Sequence, residues 1–438
     1  MSTRSTYIVR LVRWLPPAVA ALLGVGLVAC GGLERRPASE WRAAYDTVGD
    51  TVIVRSQSGS VWGEAAGLVA DLRIGEFEGP DEYMFGYIQS LAVAPDGGIY
   101  VYDSNLRALR KYALDGRYVA TFGREGGGPG EYKQPDAGLV VLRDGRVLLR
   151  DPGNGRINVY SPDGEYLDGW RIRPGLMTFL PLYVDTSDYV YHRVTLNVSA
   201  DISEWRTGLV RYRPDGVASD TLEPPGYDYE PPMVEARAGG ERRGYTSTPV
   251  PFSPHFHWSF SPLGYIVAGV SNRYAIDLYL APDRVLRIER ADWQPVPVKP
   301  EERAEQERRI TAMLQGIQPG WRWNGPPIAD AKPPYRDFFI GQDGRIWVQL
   351  YQEGRQTGEE VGEIRPGRVP PPTWTEPVAF DVFAADGRYL GFVRAPEGFT
   401  LHPTPVARGD TVWAVVRDEM DVSYIVRFRV RHAAAGAG

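Results

Sequence analysis

Between residues 88 and 122 apolar and polar positions alternate: Leu91, Val93, Ile99, Val101, Leu109, Tyr112, Val119 and Phe122 recur with a spacing near two. That is the period of a strand whose successive side chains point to opposite faces of a sheet. The pattern predicts four strands, at 88–94, 99–102, 107–113 and 118–122, joined by tight turns at Asp96-Gly97 and Asp115-Gly116. Glycine suits such turns because they need a positive φ, which it adopts without a Cβ clash.

The unit then repeats at a spacing of 48 residues: Asp96-Gly97 recurs as Asp144-Gly145, Asp103 as Asp151, Asp115-Gly116 as Asp163-Gly164, Tyr118 as Tyr166, and Phe122 as Trp170. A period of about 40 to 50 residues built from short strands and Asp-Gly turns is that of a β-propeller blade. The second unit spans 137–172. A third is punctuated by Thr186-Ser187-Asp188 and Pro214-Asp215-Gly216, and a fourth covers 256–293. A fifth carries Asp343-Gly344 and Asp386-Gly387, and a sixth follows Gly409-Asp410. The sixth lacks an outer strand. Leu72-Arg73-Ile74-Gly75 lies 48 residues before Ala120-Thr121-Phe122-Gly123, so by register it is an outer strand without a unit of its own. Pairing it with the last unit closes the array and removes the exposed edges. The expected fold is therefore all-β, a six-bladed propeller over 51–432 closed by an N-terminal strand. A further strand at 51–55 has no place in that count and leaves seven open.

Four long insertions interrupt the pattern, at about 193–207, 223–254, 294–334 and 351–376. In a four-stranded meander the link between second and third strands and the link to the next unit leave on one face, while the two hairpins leave on the other. All four insertions belong to the first class and are expected on one rim, where binding residues concentrate on loops held by a rigid scaffold. Within 294–334, residues 301–315 read as a short helix between the fourth and fifth units. Pro300 suits its first turn, Glu301 and Glu302 complement its N-terminal dipole, Gly316 ends it, and Ile310, Met313 and Leu314 form one apolar stripe. The stripe is expected to dock the insertion onto the propeller; the alternative is a lid over the channel mouth.

The amino terminus adds an address. Arg4, Arg10 and Arg13 precede an apolar stretch at 14–29, and Leu27-Val28-Ala29-Cys30 closes it with small residues before the chain's one cysteine. This is the pattern of a signal peptide, and it resembles the lipobox of bacterial lipoproteins, with Cys30 as the lipid-bearing first residue of the mature chain. Residues 1–29 are thus expected to be removed, 30–50 to form a tether and 433–438 a disordered tail. The expected location is the bacterial cell envelope, lipid-anchored, on a periplasmic or outer-membrane face. Loss of three arginines takes the formal charge from −6 to −9. A mildly acidic chain with both signs interspersed has no basic stripe for a phosphate backbone, which argues against nucleic acid. The expected partner is an envelope protein, peptide or glycan, and the chain is expected to be a monomer.

Candidate chemistry is sparse. Asp103, Asn105 and Arg107 recur in kind as Asp151, Asn154 and Arg156 at the insertion-bearing face. They read either as a ring of ligand-binding groups suited to carboxylates or sugars or as turn-forming residues with local hydrogen bonds. Trp321 and Trp323 are the aromatic candidates in the insertion. His255 and His257, two apart on a strand, share a face and are the only spaced pair that suggests a metal; two ligands are too few for a site. No catalytic triad, phosphate-cradling loop or CxxC pair is recognisable, and the sequence requires no cofactor.

Gly126-Gly127-Gly128-Pro129-Gly130-Glu131-Tyr132, Asp151-Pro152-Gly153-Asn154-Gly155-Arg156-Ile157 and Pro162-Asp163-Gly164 resemble the NHL repeat, and the chain as a whole is similar to six-bladed β-propeller lipoproteins of Gram-negative bacteria. The match covers residues 75–172; beyond it His192, the insertions and the degenerate turns depart from the repeat. Amidating lyases and gluconolactonase-type propellers place metals on their axis, so this resemblance implies a metal-dependent lyase or hydrolase acting at the channel as the alternative to a membrane-anchored binding module.

Overall fold

Six antiparallel meanders of short strands follow one another along the chain in a computed structural model that describes residues 40–63, 65–172, 180–197, 206–238, 245–358, 365–369 and 371–432. These residues fall in the unit Ala38–Gly438. The segment with the signal pattern, Cys30 and the tail at 433–438 lie outside them. The described residues are nearly all β, with one α-helix, α1 (Pro300–Gln315). No helix among them is long and apolar enough to cross a membrane.

The first sheet takes Ile88–Val93, Ile99–Asp103, Ala108–Tyr112 and Tyr118–Phe122 in order, and the second takes Leu139–Val141, Val147–Asp151, Arg156–Tyr160 and Tyr166–Arg171. Each hairpin turn repeats one device. The aspartate side chains of Asp96, Asp115, Asp144, Asp215, Asp343 and Asp386 accept the backbone N–H two residues on. The glycine that follows each sits at positive φ, between 82° and 92°. The Asp-Gly punctuation is thus a local hydrogen-bonded turn that ends one strand and launches the next.

The third sheet runs from Leu182 to Leu222, the fourth from Phe256 to Arg290, and the fifth comprises Asp337–Ile340, Ile346–Gln349, Ala379–Phe383 and Tyr389–Arg394. Val406–Arg408, Thr411–Arg417 and Ser423–Arg431 make the last meander. Three strands precede the first sheet: β1 (Arg42–Val48), β2 (Thr51–Ser58) and β3 (Ala66–Ile74). β3 pairs antiparallel with Ser423–Arg431, Ile74 opposite Ile425 and Gly67 opposite Arg431, and so supplies the missing outer strand in the expected register. The strand that had no place, at 51–55, lies within β2. It pairs in parallel with Arg284–Arg290 and antiparallel with β1, so it widens the fourth sheet and opens no unit of its own. A parallel partner more than 200 residues away leaves no trace in local periodicity.

Apolar clusters join each sheet to the next. Tyr100, Tyr102 and Phe122 pack on Leu139, Val147 and Tyr160. Leu148, Ile157 and Trp170 pack on Leu182, Val190 and Tyr212. Tyr191 and Leu209 meet Trp258 and Phe260. Ile276 and Leu278 meet Phe338 and Ile346, and Trp347, Phe380 and Leu390 meet Ala407, Val412 and Phe428. A further cluster brings Ile74, Trp413, Val415 and Ile425 against Ile88, Val93, Ile99 and Tyr112, the last meander against the first.

Candidate functional site at the insertion-bearing rim

Three of the insertions fold together. Residues 223–254 contribute a hairpin, Met233–Arg237 with Tyr245–Pro249, and its Val234 and Ala236 form a small core with Val250, Leu314, Trp321 and Ile328. Ile310 and Met313 pack at its edge. The stripe on α1 therefore docks the helix onto the neighbouring insertion rather than directly onto the sheets, a correction to the expectation. Polar contacts tie in the third insertion. Lys332 Nζ reaches Glu302 at 2.7 Å, Glu376 at 3.0 Å and the Gln352 carbonyl at 3.1 Å. Glu305 accepts the Thr373 N–H at 2.8 Å and its hydroxyl, and the Gly367 N–H reaches the Ala312 carbonyl at 2.9 Å. A shallow groove of about 510 Å³ lies along α1, bordered by Glu307, Arg308, Thr311 and Gln315.

The repeated polar clusters direct their hydrogen bonds inward. Asp103, fully buried, accepts the backbone N–H groups of Gly86, Tyr87, Asn105 and Leu106 at 2.7–3.1 Å. Asp151 likewise accepts from Lys133, Gln134 and the Asn154 amide, which also donates to the Gly126 carbonyl. Arg156 donates to Asn158 and to the carbonyls of Gly128 and Glu131. These bonds fasten the glycine-rich loop between the first two sheets. Asn105 and Arg107 are exposed, and Arg107 pairs with Glu125. Trp321 is buried and donates to the Glu235 carbonyl at 2.6 Å; Trp323 donates to the Pro326 carbonyl at 2.9 Å.

His255 and His257 have ring centroids 6.2 Å apart. Burial, and then His257, lowers the pKa of His255. His257 Nδ1 lies 3.3 Å from Asp337. Among the described residues no three His, Cys, Asp or Glu side chains come together as a metal's ligand set.

The first strands of all six meanders line one cavity of about 600 Å³, represented by Leu91, Leu139, Leu182, Trp258, Phe339 and Val406. The first strands of the fourth and fifth sheets, Phe256–Ser261 and Asp337–Ile340, follow directly on two of the insertions, which puts Trp258 and Asp337 toward the end of the cavity that those insertions flank. Arg193, from the second strand of the third sheet, joins them: Leu182 pairs with its neighbour His192, and its guanidinium stacks over Trp258 at 4.0 Å. Burial lowers the Arg193 pKa, against the attraction of Tyr183 and Asp337, and burial raises that of the Tyr183 phenol. Behind this wall Arg150 Nε holds both oxygens of Asp136, at 2.8 and 3.0 Å, and its terminal nitrogen reaches the Leu180 carbonyl. His192 lies beside that pair; burial, with Arg150 adding to it, pushes its pKa down to about 3.

Sequence reasoning did not single out Arg193 or Trp258. The one local signal is a charged residue inside the apolar strand Val190–Thr195.

No family model matches the chain, and no curated protein matches it either. Among solved structures it is similar to a DUF4221 family member from Bacteroides vulgatus at 9% identity and a TM-score of 0.47, covering 84% of this chain and 99% of that one. It is similar to a protein from Bacteroides fragilis at 10% identity and a TM-score of 0.45, covering 87% and 99%. It is also similar to a gluconolactonase from Xanthomonas campestris at 11% identity and a TM-score of 0.37, covering 83% and 99%.

Proposed function

We propose that this chain is a six-bladed β-propeller closed by β3, carried on the cell envelope by a lipid on Cys30, and that it binds an envelope protein, peptide or glycan on the rim that carries the insertions. Closure is supported by the pairing of β3 with the last meander and by the apolar cluster joining that meander to the first. The anchor is supported by the Leu27-Val28-Ala29-Cys30 pattern. The observation that carries the binding reading is the shared layer: three insertions possess their own core and a buried ionic cluster. Ordering that many residues costs conformational entropy, about 1–2 kcal/mol per residue for the backbone alone. A layer built at that cost on a finished scaffold fits a recognition surface.

The groove along α1 is the first place to test. Envelope membranes are probed with the anchored chain, with an E307K/R308E variant of the groove, and with a D163K variant on the opposite rim. The reading expects one partner, identified by mass spectrometry, that is captured by the wild type and D163K and lost with E307K/R308E. A partner lost with D163K and kept by the groove variant would overturn it, as would no partner above background.

A further inference from the structure

The cavity wall carries a cation that, among the described residues, has no carboxylate in direct contact. Arg193 lines the cavity, and among the described residues no carboxylate forms an ion pair with it within 4.0 Å. Its neighbours are the Trp258 ring and the Tyr183 side chain. Its Nε is buried without a hydrogen-bond partner, and so is the hydroxyl of Thr195, two residues on and therefore on the same face of the strand. Asp337 is the carboxylate that acts on Arg193 through space. Its Oδ1 takes both His257, at 3.3 Å, and the N–H of Phe338, at 2.8 Å, and its side chain is 63% exposed, so water screens its pull on the guanidinium. The two arginines at the other end of the cavity differ: Arg143 donates to the Thr186 carbonyl, and Arg408 to those of Ala94 and Pro95.

A guanidinium drawn out of water without a counter-ion is unfavourable unless something completes it. The stack over Trp258 and a hydrogen bond to Tyr183 offset part of that cost and leave Nε without a partner. The cavity lining is mixed, with an apolar part formed by Leu91, Leu139, Val141, Leu182 and Phe339, and its volume of about 600 Å³ lies in the range of small-molecule sites. We infer that this cavity binds a small carboxylic acid with an apolar body, the carboxylate held by Arg193 beside Trp258 and the body against the leucine, valine and phenylalanine walls. The inference stands on the inner strands and not on the insertion layer, so it does not rest on the reading of that layer as a recognition surface.

The test uses benzoate and 3-phenylpropionate against their neutral amides, titrated calorimetrically into the purified chain. At least one acid is expected to bind saturably at one site, with its amide weaker by about ten- to a hundredfold, the loss expected for charge-assisted hydrogen bonds. Arg193→Gln is expected to abolish the preference for acid over amide, with an unchanged circular dichroism spectrum. Acid and amide binding equally, neither acid binding, or Arg193→Gln keeping the preference would each overturn the inference. The acid-against-amide comparison is made on the wild-type chain, so it decides the matter even where the variant fails to fold.

Discussion

Lys332 Nζ lies 2.7 Å from Glu302 with both side chains sealed from solvent, 0% and 3% exposed, and the ammonium bridges onward to Glu376. Glu302 belongs to α1, Lys332 to the strand-like end of the same insertion and Glu376 to the next one. One buried charge thus joins segments whose sequence spacing gives no hint of contact. Removing one member of a buried pair leaves its partner charged and desolvated, which costs about 3–5 kcal/mol. Lys332→Met is expected to destabilise the chain by that amount in urea denaturation. Hydrogen exchange should rise first in 294–334 and 351–376, and a change below about 0.5 kcal/mol, the usual range for surface substitutions, would show that the cluster does not hold the layer.

Where the fold repeats itself it was legible. The 48-residue register marks the first two sheets because Asp-Gly turns and alternating apolar positions are local signals, and the same register identified β3 as the outer strand of the last meander. β2 escaped because its partner Arg284–Arg290 runs parallel to it and is distant in sequence. The insertions were legible as breaks in the repeat; their fusion into one layer was not, since the meeting of Leu314 with Val234 and Ala236 depends on tertiary placement. The polar residues of the repeat drew attention because they recur, and recurrence in a scaffold reflects the scaffold's needs: Asp103 and Asp151 do the same job for equivalent loops. Arg193 and Trp258 occupy units where the repeat has decayed, and only the packing of the third sheet on the fourth brings them together.

β3 covers the last meander's outer edge, and at its N-terminal end Ala66 and Gly67 also pair in parallel with Val393 and Arg394 of the fifth sheet. Its Ile74 is buried among Trp413, Val415 and Ile425 on one side and first-sheet residues on the other, and Asp71 pairs with Arg427 and Arg429 across the strands. Ile74→Ala removes a buried branched side chain, with an expected loss of about 2–4 kcal/mol. A chain that starts after residue 75 exposes the N–H and C=O row of Ser423–Arg431. Such an edge recruits other strands, so light scattering should report a larger mass for the truncated chain than for the intact chain at the same concentration. A truncated chain as stable and as monodisperse as the parent would remove β3 from the closure.

His192 gives the chain an acid-sensitive point. Its folded pKa is held down to about 3, chiefly by burial and further by Arg150, while the unfolded imidazole titrates near the ordinary histidine value of 6.5. A depressed folded pKa means that the unfolded state takes up the proton first. The stability His192 contributes is therefore complete above about pH 6.5 and is lost progressively as pH falls toward 3. Asp136, raised to about 6 by burial, works in the opposite direction and is present in both proteins compared. Against His192→Leu, the wild type is expected to lose about 2–4 kcal/mol more stability between pH 7 and pH 4. Parallel stability curves for the two proteins over that range would refute the assignment.

Asp103 and Asp151 test whether the repeated acidic residues serve the scaffold. Asp103 takes four backbone N–H groups and Asp151 takes two, together with the Asn154 amide, in positions shielded from solvent. With Asp103→Ala the four donors lose their acceptor at once, and the loop at 84–87 is left tied to the end of the second strand through the Ser104 N–H and the Tyr87 carbonyl. Each stranded donor costs about 1–3 kcal/mol when water cannot replace the partner. Local opening would relieve part of this, so the expected net loss is about 3 kcal/mol, with less for Asp151→Ala because fewer donors are stranded. Asp→Asn at either site keeps the shape and removes the charge, and should fall between wild type and alanine. The check is thermal or urea denaturation of the four variants beside the capture and calorimetric assays. Variants that lose stability in this order and keep binding once folded mark scaffold residues, while unchanged stability with lost binding would return both aspartates to the recognition surface.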